Sequence, residues 1–303
     1  MNEFRFRLER GSCKNVCPAC KQRRFVRYVD TETGEQLADE VGRCDREDSC
    51  GYHLTPREYF LMTGKNPFSR GRVTRKPVKK PEPVYIPLET MNASFVAYER
   101  NNFAAWLCGV FGEEKAFELA NSYNIGTSKH WPGACVFWQI DDAGKIRAGK
   151  VMLYDAETGR RVKEPSNMVA GVHWLLGMAD KKPAGCLFGL HLLNEDASKP
   201  VAVVESEKSA IIGAGFVPEF TWMATGGSGN LSAEILRPLR GRDVVLMPDL
   251  GTAFGKWQEI GRAAGVKVSD ILERRASAED REQGLDIADF LLREHFTGRM
   301  AAV

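Results

Sequence analysis

Near-continuous apolar runs alternate with amphipathic segments over residues 199–303. The apolar runs predict strands, and the amphipathic segments predict helices. The predicted strands are VAVVE, FTWMAT, DVVLMPD and VKVSDIL, and the predicted helices are KSAIIGAG, SAEILRPLRG, AFGKWQEIGRAAG and DIADFLLREHF. This alternation is typical of a parallel sheet with helices on both faces, which binds ligands at the carboxyl ends of its strands.

Residues 88–198 have a less regular pattern. A helical stretch is predicted over about residues 91–121, and strands are predicted at ACVFWQID and KVMLYD. The turn signals DDAGK and DAETGR accompany these strands, as in a β-meander. We therefore expect a mixed α+β region ahead of the parallel sheet.

The first 87 residues differ in composition from the rest of the chain. Residues 64–87 are rich in Pro, Lys and Arg and hold almost no large apolar residues, which predicts an extended linker. Residues 1–63 contain five of the eight cysteines. The predicted fold is α/β, with a cysteine-rich unit, a linker, a mixed α+β region and a parallel-sheet domain.

Composition and charge narrow the class of protein. The 303 residues are 43% apolar and 27% charged, and no apolar run approaches the roughly 18 residues of a membrane span. The start of the chain lacks the apolar stretch of a secretory signal, so we expect a cytoplasmic protein with no membrane partner. Residues 1–80 hold 18 Lys and Arg against 11 Asp and Glu. This part is expected to meet a polyanion, unless it is only a solvated basic surface.

Four cysteines near the start of the chain have the spacing of a zinc site. Cys17 and Cys20 form a C-x-x-C pair, and Cys44 and Cys50 follow after a gap of 23 residues. In a reducing compartment such cysteines are expected to bind metal, and a β-hairpin between the pairs makes a zinc β-ribbon. We therefore expect a structural Zn²⁺ held by these four residues.

Two alternatives for one zinc ligand stay open. Because the second pair is looser than C-x-x-C, His53 could replace Cys50, or Cys13 could enter the site. The remaining three cysteines lie singly in apolar surroundings, where packing in the core is expected. They are Cys108, Cys135 and Cys186.

Basic and aromatic residues lie on the predicted ribbon. Cations contact phosphates and aromatic rings stack on bases, so this set suits a nucleic-acid strand. The alternative is a ribbon that only stabilises its neighbour. The candidate nucleic-acid-binding residues are Arg23, Arg24, Phe25, Arg27, Tyr28 and Arg43.

Two carboxylates stand at the ends of predicted parallel strands. Glu205 follows VAVV, and Asp249 follows VVLMP. Because the carboxyl ends of parallel strands lie at one edge of the sheet, both side chains are expected there. A hard cation takes oxygen ligands and bridges to substrate phosphates, so the pair predicts a Mg²⁺ or Mn²⁺ site.

VVESEKSA, ATGG and VVLMPDLGTAFGKW together resemble the Toprim domain, which is shared by bacterial DnaG-type primases, topoisomerases and some nucleases. The resemblance covers residues 201–290. A zinc ribbon followed by a Toprim domain is the order found in bacterial-type primases, including those of phages and mobile elements. The resemblance implies that Glu205 is a general acid/base or metal-proximal carboxylate and that Asp249 is a metal ligand.

The sequence departs from the family pattern at one position. The second Asp of the Asp-x-Asp motif would fall at residue 251, where this chain has Gly251. The cation would then bind more weakly, or other carboxylates would compensate. Asp286 and Asp289 at the start of the last predicted helix are candidates, with Asp286 the stronger. The alternative is that they cap that helix.

Candidate phosphate-binding residues follow the first two predicted strands of the parallel sheet. The segment TGGSGN includes Gly226 and Gly227, whose backbone N–H groups could cradle a phosphate. It lacks the ending of a P-loop, so a turn without ligand is the alternative. Lys208 could bind a nucleotide phosphate or be solvated.

A basic hairpin is predicted in the middle region. We expect it beside the sheet edge that carries Glu205 and Asp249, which we call the acidic edge. Such cations would position template and primer phosphates for the metal, although a solvated hairpin tip is the alternative. The residues are Lys150, Arg160, Arg161 and Lys163.

These features predict a primase-like enzyme that transfers nucleotides on single-stranded DNA during replication of a chromosome or mobile element, with Asp286 supporting Glu205 and Asp249. The chain ends thirteen residues after Phe290, so a separate replicative helicase is expected as partner. The alternatives are a Toprim nuclease and a non-catalytic Toprim-fold accessory protein that binds nucleic acid, which the glycine at position 251 would permit.

Overall fold

The structure is a computed structural model that describes residues 5–9, 14–46, 49–64, 84–178, 183, 185–227 and 229–298. The chain divides into two compact units, residues 1–80 and 81–303. Most of the predicted linker at 64–87 lies outside the described residues.

The first unit is a small antiparallel sheet followed by a helix. Its strands pair in the order β1-β2-β3-β4, and Thr55 and Glu58 form a capping box that starts the helix. The elements are β1 Phe6–Leu8, β2 Phe25–Asp30, β3 Gly42–Cys44, β4 His53–Leu54 and α1 Pro56–Thr63.

The second unit begins with three helices in place of the continuous stretch predicted at 91–121. Ala97 takes a left-handed conformation with φ 55°, and Gly112 between two of the helices has φ 80°. These two residues divide the stretch, because a continuous α-helix needs negative φ throughout. The helices are α2 Leu88–Asn92, α3 Asn102–Phe111 and α4 Glu113–Ser122, with a 3₁₀ turn at Tyr98–Arg100.

An antiparallel sheet follows, as the meander pattern predicted. Its strands pair in the order β5-β6-β7-β8. Gly149 leaves room for Trp138, since a Cβ at this glycine would lie 2.8 Å from the indole ring. The elements are β5 Gly126–Thr127, β6 Cys135–Ile140, β7 Ile146–Met152, β8 Val169–Gly171 and the short helix α5 Val172–Leu175.

The C-terminal part contains the predicted parallel sheet. Its strands pair in the order β10-β9-β11-β12, all parallel. Residues of β9 alternate between two cores: Ala202 and Val204 pack on one face, and Val201 and Val203 pack on the other. The strands are β9 Val201–Val204, β10 Thr221–Ala224, β11 Val244–Leu246 and β12 Lys267–Val268.

Helices cover both faces of this sheet. Residues of α6 and α10 belong to one core, and residues of α7 belong to the other. The helices are α6 Glu207–Phe216, α7 Thr252–Ala264, α8 Ile271–Arg275, α9 Ala278–Gln283 and α10 Ile287–Thr297. The α/β fold with an N-terminal zinc ribbon, a mixed α+β middle and a C-terminal parallel sheet is therefore confirmed.

One predicted element was wrong, and another is shorter than predicted. The helix predicted at SAEILRPLRG is a series of turns with a 3₁₀ helix at Arg237–Leu239, because Pro238 lacks the N–H that a helix interior needs. The strand predicted at VKVSDIL is only two residues long. Ser269 accepts a hydrogen bond from the backbone of Ile271, where α8 begins.

The antiparallel and parallel sheets share one core. Phe137 of β6 and Phe188 pack with Ala202 and Val204 of β9. The hydroxyl of Tyr123, at the end of α4, donates to the carbonyl of Trp222 in β10 at 2.9 Å. The regions predicted at 88–198 and 199–303 thus pack as one unit.

Among the described residues, no helix is long and apolar enough to cross a membrane.

The packing of α6 on β10 gives a test of this core. A Cβ at Gly213 would lie 2.4 Å from the buried ring of Trp222. We expect Gly213→Ala to lower the free energy of unfolding by about 1–3 kcal/mol, because overpacking outweighs the gain in helix propensity. Gly109→Ala, in an open position of α3, should stabilise instead. Equal effects of the two changes in urea unfolding would contradict this packing.

Candidate functional site

The four predicted zinc ligands converge in the first unit. The Sγ atoms of Cys17, Cys20, Cys44 and Cys50 all lie within 4.8 Å of one another. The Sγ atoms of Cys17 and Cys50 are 3.8 Å apart, and those of Cys20 and Cys44 are 3.9 Å apart. Tetrahedral zinc with bonds of about 2.3 Å requires sulfur separations of about 3.8 Å. The cluster therefore fits a structural Zn²⁺.

The thiols of the cluster differ in pKa. A backbone hydrogen bond from Gln22 and contacts with neighbouring thiols lower the pKa of Cys20 to about 7, which favours the thiolate that zinc binds. Burial and the neighbouring thiols raise the pKa of Cys44 to about 12. His53, the alternative ligand, is instead bonded through Nε2 to the hydroxyl of Tyr28 at 3.0 Å. Cys13 lies outside the described residues.

One predicted nucleic-acid contact of the ribbon was wrong. Phe25 is fully buried and packs on the cysteine cluster, so its ring is not available to stack on a base. It pairs with Cys44 across β2 and β3, and residues opposite each other in a sheet share a face. The ring therefore lies on the zinc side of the ribbon.

The basic residues of the ribbon differ in their surroundings. Arg23 and Arg24 are exposed. Arg27 is partly exposed, and its guanidinium is paired with Gln36 at 2.6 Å and with Asp39 at 3.0 Å. The part of the predicted surface that remains open to solvent is therefore smaller than the sequence suggested.

Two predicted carboxylates follow neighbouring strands of the parallel sheet. Glu205 comes directly after β9, and Asp249 comes three residues after β11. These strands are paired in parallel register, with Val203 opposite Leu246. Both carboxylates therefore lie at the same edge of the sheet, the one formed by the carboxyl ends of its strands.

A third carboxylate reaches this edge from the start of α10. The N–H of Leu250 donates to the carbonyl of Leu285 at 3.1 Å, which ties the Asp249 loop to that helix. Asp286 caps α10 and forms a capping box with Asp289. The hydroxyl of Ser209 donates to Asp286 at 2.5 Å. Asp286 therefore combines the capping role with a place near the other acids.

The pKa values at this edge reflect burial and mutual repulsion. Burial raises the pKa of Asp249 to about 9. Repulsion acts in the same direction and comes from Asp286, Glu205 and Asp289. Burial also raises the pKa of Glu205, with a further contribution from Asp286, while the positive charge of Lys256 opposes the rise. A bound cation would relieve this repulsion.

The donor set fits a hard cation that keeps part of its water shell. Glu205 is 7% exposed, and its Oε1 atom is buried without a hydrogen-bond partner. Within the described ranges, only the cysteine group brings three or more ligand atoms within 4.8 Å. The acidic edge is therefore not a preformed cage, but Mg²⁺ commonly uses one or two carboxylates with water and substrate phosphates.

The backbone conformation at Gly251 favours glycine over the aspartate of the Toprim pattern. This residue has φ 104° and ψ −137° and stands directly before α7. A residue with a side chain is strained in that conformation, by about 1–3 kcal/mol. An aspartate at this position would therefore lower the stability of the folded protein.

A buried ion pair that the sequence analysis missed joins the two sheets. Lys150 of β7 lies 2.6 Å from Oε1 of Glu207 and donates to the carbonyl of Gly226 at 2.7 Å. Glu207 is 2% exposed, and the contact is an ion pair, not a well-directed hydrogen bond. Glu207 stands two residues after Glu205. Lys150 therefore contacts both the start of α6 and the turn after β10.

The predicted phosphate-binding residues make contacts within the protein. Gly226 has φ 75°, and a Cβ here would lie 3.0 Å from Oε1 of Glu207, so a side chain would be strained at this position. Gly227 follows with φ 152°. Lys208 donates to the carbonyl of Gly159 at 2.7 Å and lies over Trp106 at 4.5 Å. A phosphate-binding role for these residues stays a prediction.

The other predicted basic residues of the middle region are open to solvent. Arg160, Arg161 and Lys163 are exposed. The charge of Arg160 acts on Lys208, which in turn feels Asp286. Lys208 donates to the carbonyl of Gly159, so the neighbouring Arg160 lies close to the start of α6.

Two family models match the sequence. A zinc β-ribbon finger matches residues 4–65, in agreement with the predicted zinc ribbon. A domain of unknown function, DUF6371, matches residues 101–250. No curated protein matches the chain.

Primase domains are among the similar solved structures. The primase fragment of the bacteriophage T7 primase-helicase protein has 14% identity and a TM-score of 0.41, over 95% of this chain and 95% of that chain. The DnaG primase catalytic domain bound to single-stranded DNA has 13% identity and a TM-score of 0.40, over 70% and 81%. The RNA polymerase domain of Mycobacterium tuberculosis DnaG with double-stranded DNA has 13% identity and a TM-score of 0.41, over 69% and 78%. A functional assignment must rest on this chain's own residues.

The cysteine cluster predicts the metal content of the protein. Metal analysis of the full chain should find about one zinc ion per molecule. Cys44→Ser should lose the zinc, because it removes one of four ligands. Cys108→Ser, at an exposed position outside the cluster, should keep it. Full zinc content in Cys44→Ser, or none in the unaltered protein, would rule out this site.

The buried ion pair predicts a stability effect. Lys150→Met leaves Glu207 buried without its cation, so we expect the free energy of unfolding to fall by about 3 kcal/mol. The double variant Lys150→Met/Glu207→Met should recover most of this loss. Lys129→Met, at an exposed position, is the control. A Lys150→Met protein as stable as this control would contradict a stabilising role for the ion pair.

Proposed function

We propose that the protein is a primase-like enzyme that transfers nucleotides on single-stranded DNA with Mg²⁺ or Mn²⁺, in the replication of a chromosome or mobile element. The observation that carries this proposal is the placing of Glu205 and Asp249 at one edge of a parallel sheet. Asp286 stands beside them and raises the pKa of both. This arrangement, with the Toprim-like sequence pattern, favours metal-assisted phosphoryl chemistry.

The carboxylates have distinct roles in this proposal. Glu205 and Asp249 would hold the cation, which when bound neutralises phosphate charge and favours attack by a hydroxyl. Glu205 has a raised pKa and a buried oxygen without a partner. It can therefore also accept a proton near the reacting groups. Asp286 would support both as a further negative charge at the start of α10.

Nucleic acid would be held by the exposed cations. Arg160, Arg161 and Lys163 are exposed and would contact the phosphates of template and primer. In the zinc unit, Arg23 and Arg24 would contact single-stranded DNA. These contacts with the phosphate backbone would position the strand but would not recognise its base sequence.

Nucleotide phosphates would bind beside the first two strands of the parallel sheet. The candidate contacts are the turn at Gly226 and Gly227 and the amine of Lys208. A separate replicative helicase would supply unwound template.

Glu205→Gln tests the catalytic proposal. The change keeps the shape of the side chain but removes its charge and its ability to take a proton. We expect synthesis of short products from labelled nucleotides on single-stranded DNA to fall by about 100-fold or more. Glu219→Gln, at an exposed site, should leave synthesis unchanged.

The same incubation separates the alternative functions. Fragments of the DNA that depend on Glu205 would support a nuclease. Retention of DNA without turnover would support a non-catalytic accessory protein. Unaltered synthesis in Glu205→Gln would contradict the assignment of this residue.

A further inference from the structure

A groove lies beside α3 and α4, in a part of the chain that holds none of the predicted site residues. Its volume is about 670 Å³. Four alanines line it, Ala104 and Ala105 of α3 and Ala116 and Ala120 of α4. Because these side chains are short, the longer side chains around them leave the space unfilled. The groove is therefore large enough to take side chains of another molecule.

An aromatic side chain is exposed at this groove. Phe117 of α4 is 70% exposed. It lines both the groove and a neighbouring cavity of about 210 Å³, and Tyr98 and Ala120 also line both. The apolar surface therefore continues from the groove past Phe117 to Phe95, which lines the second cavity. A continuous apolar surface of this kind marks an interaction site, because its exposed groups gain free energy from burial.

Among the described residues, the charged ones that line the groove are all acidic. They are Glu99, Glu113 and Glu114, and each is exposed. Arg100, the next residue after Glu99, pairs with it at 3.6 Å. Glu113 and Glu114 still leave an excess of negative charge. The charge of the groove therefore favours a cationic ligand over an anionic one.

We infer that this groove binds a basic amphipathic helix of a partner protein. Helices commonly bind other proteins by placing their apolar face in a groove. Phe117 would be the apolar anchor, and the glutamates would pair with lysine or arginine side chains of the partner. A nucleic-acid strand is disfavoured, because the glutamates would repel its phosphates. The inference goes beyond the proposed nucleotide transfer and does not depend on it.

The probe for this inference is a synthetic helix of about 18 residues with leucine on one face and lysine on the other. Its binding to the full chain is measured by fluorescence anisotropy. Phe117→Ala removes the apolar anchor and should weaken binding by about tenfold. Phe296→Ala is the matched control, because it removes a ring of α10 that is 69% exposed. This control should bind the peptide as the unaltered protein does.

The charge of the groove has a separate test. Glu113→Gln/Glu114→Gln should weaken binding of the lysine peptide by about fivefold, because two attractive charges are lost. Glu279→Gln/Glu282→Gln changes two exposed glutamates of α9 and should leave binding unchanged. A peptide with glutamate in place of lysine should bind the unaltered protein about tenfold more weakly.

Cys108 reports where the peptide binds. It lines the groove and is exposed, so its thiol can be alkylated in the unbound protein. Bound peptide should slow this alkylation several-fold, as measured by mass spectrometry of the fragment that contains Cys108.

Several outcomes would overturn the inference. They are no peptide binding, equal binding by Phe117→Ala, and equal affinity for the glutamate peptide. An unchanged alkylation rate at Cys108 with peptide bound would also overturn it. Self-association that is lost in Phe117→Ala would assign the groove to a second copy of the chain instead. Peptide binding at this groove in a protein that makes no products would reject only the proposed synthesis.

Discussion

Parallel pairing of β9 with β11 holds like charges together at one edge of the sheet. Glu205 and Asp249 follow these strands, and the bond between Leu250 and Leu285 draws in the start of α10. Repulsion and burial both raise the pKa of Asp249. The packed cores on both faces of the sheet must offset this cost, since charges crowded in a protein destabilise its folded state. A cation at this edge would remove much of that cost.

The antiparallel sheet contributes positive charge to this region. Lys150 neutralises Glu207 inside the protein and fixes the turn at Gly226. Lys208 is also held, by Gly159 and the ring of Trp106. These two lysines set the shape of the edge, and the exposed cations further along the hairpin remain open to a polyanion. Lys150 of the antiparallel sheet and Lys208 of α6 therefore both contribute buried or half-buried positive charge to this region.

Local patterns predicted the strands and the acids that follow them. VAVV is buried throughout, so the residue after it had to lie at the sheet edge. The contact of Lys150 with Glu207 was not predictable, because it depends on how two sheets pack. The burial of Phe25 follows from its pairing with the zinc ligand Cys44 across β2 and β3. That pairing becomes visible only when the register of the two strands is known. Pro238 was a visible signal against the predicted helix that contains it.

Anomalous diffraction from crystals grown with Mn²⁺ would test the central claim most directly. The account predicts a manganese peak within bonding distance of both Glu205 and Asp249, separate from a zinc peak at the four cysteines. The Asp249→Asn protein should lose the manganese peak and keep the zinc peak. Manganese absent from the acidic edge, or these two carboxylates directed away from each other, would contradict the account.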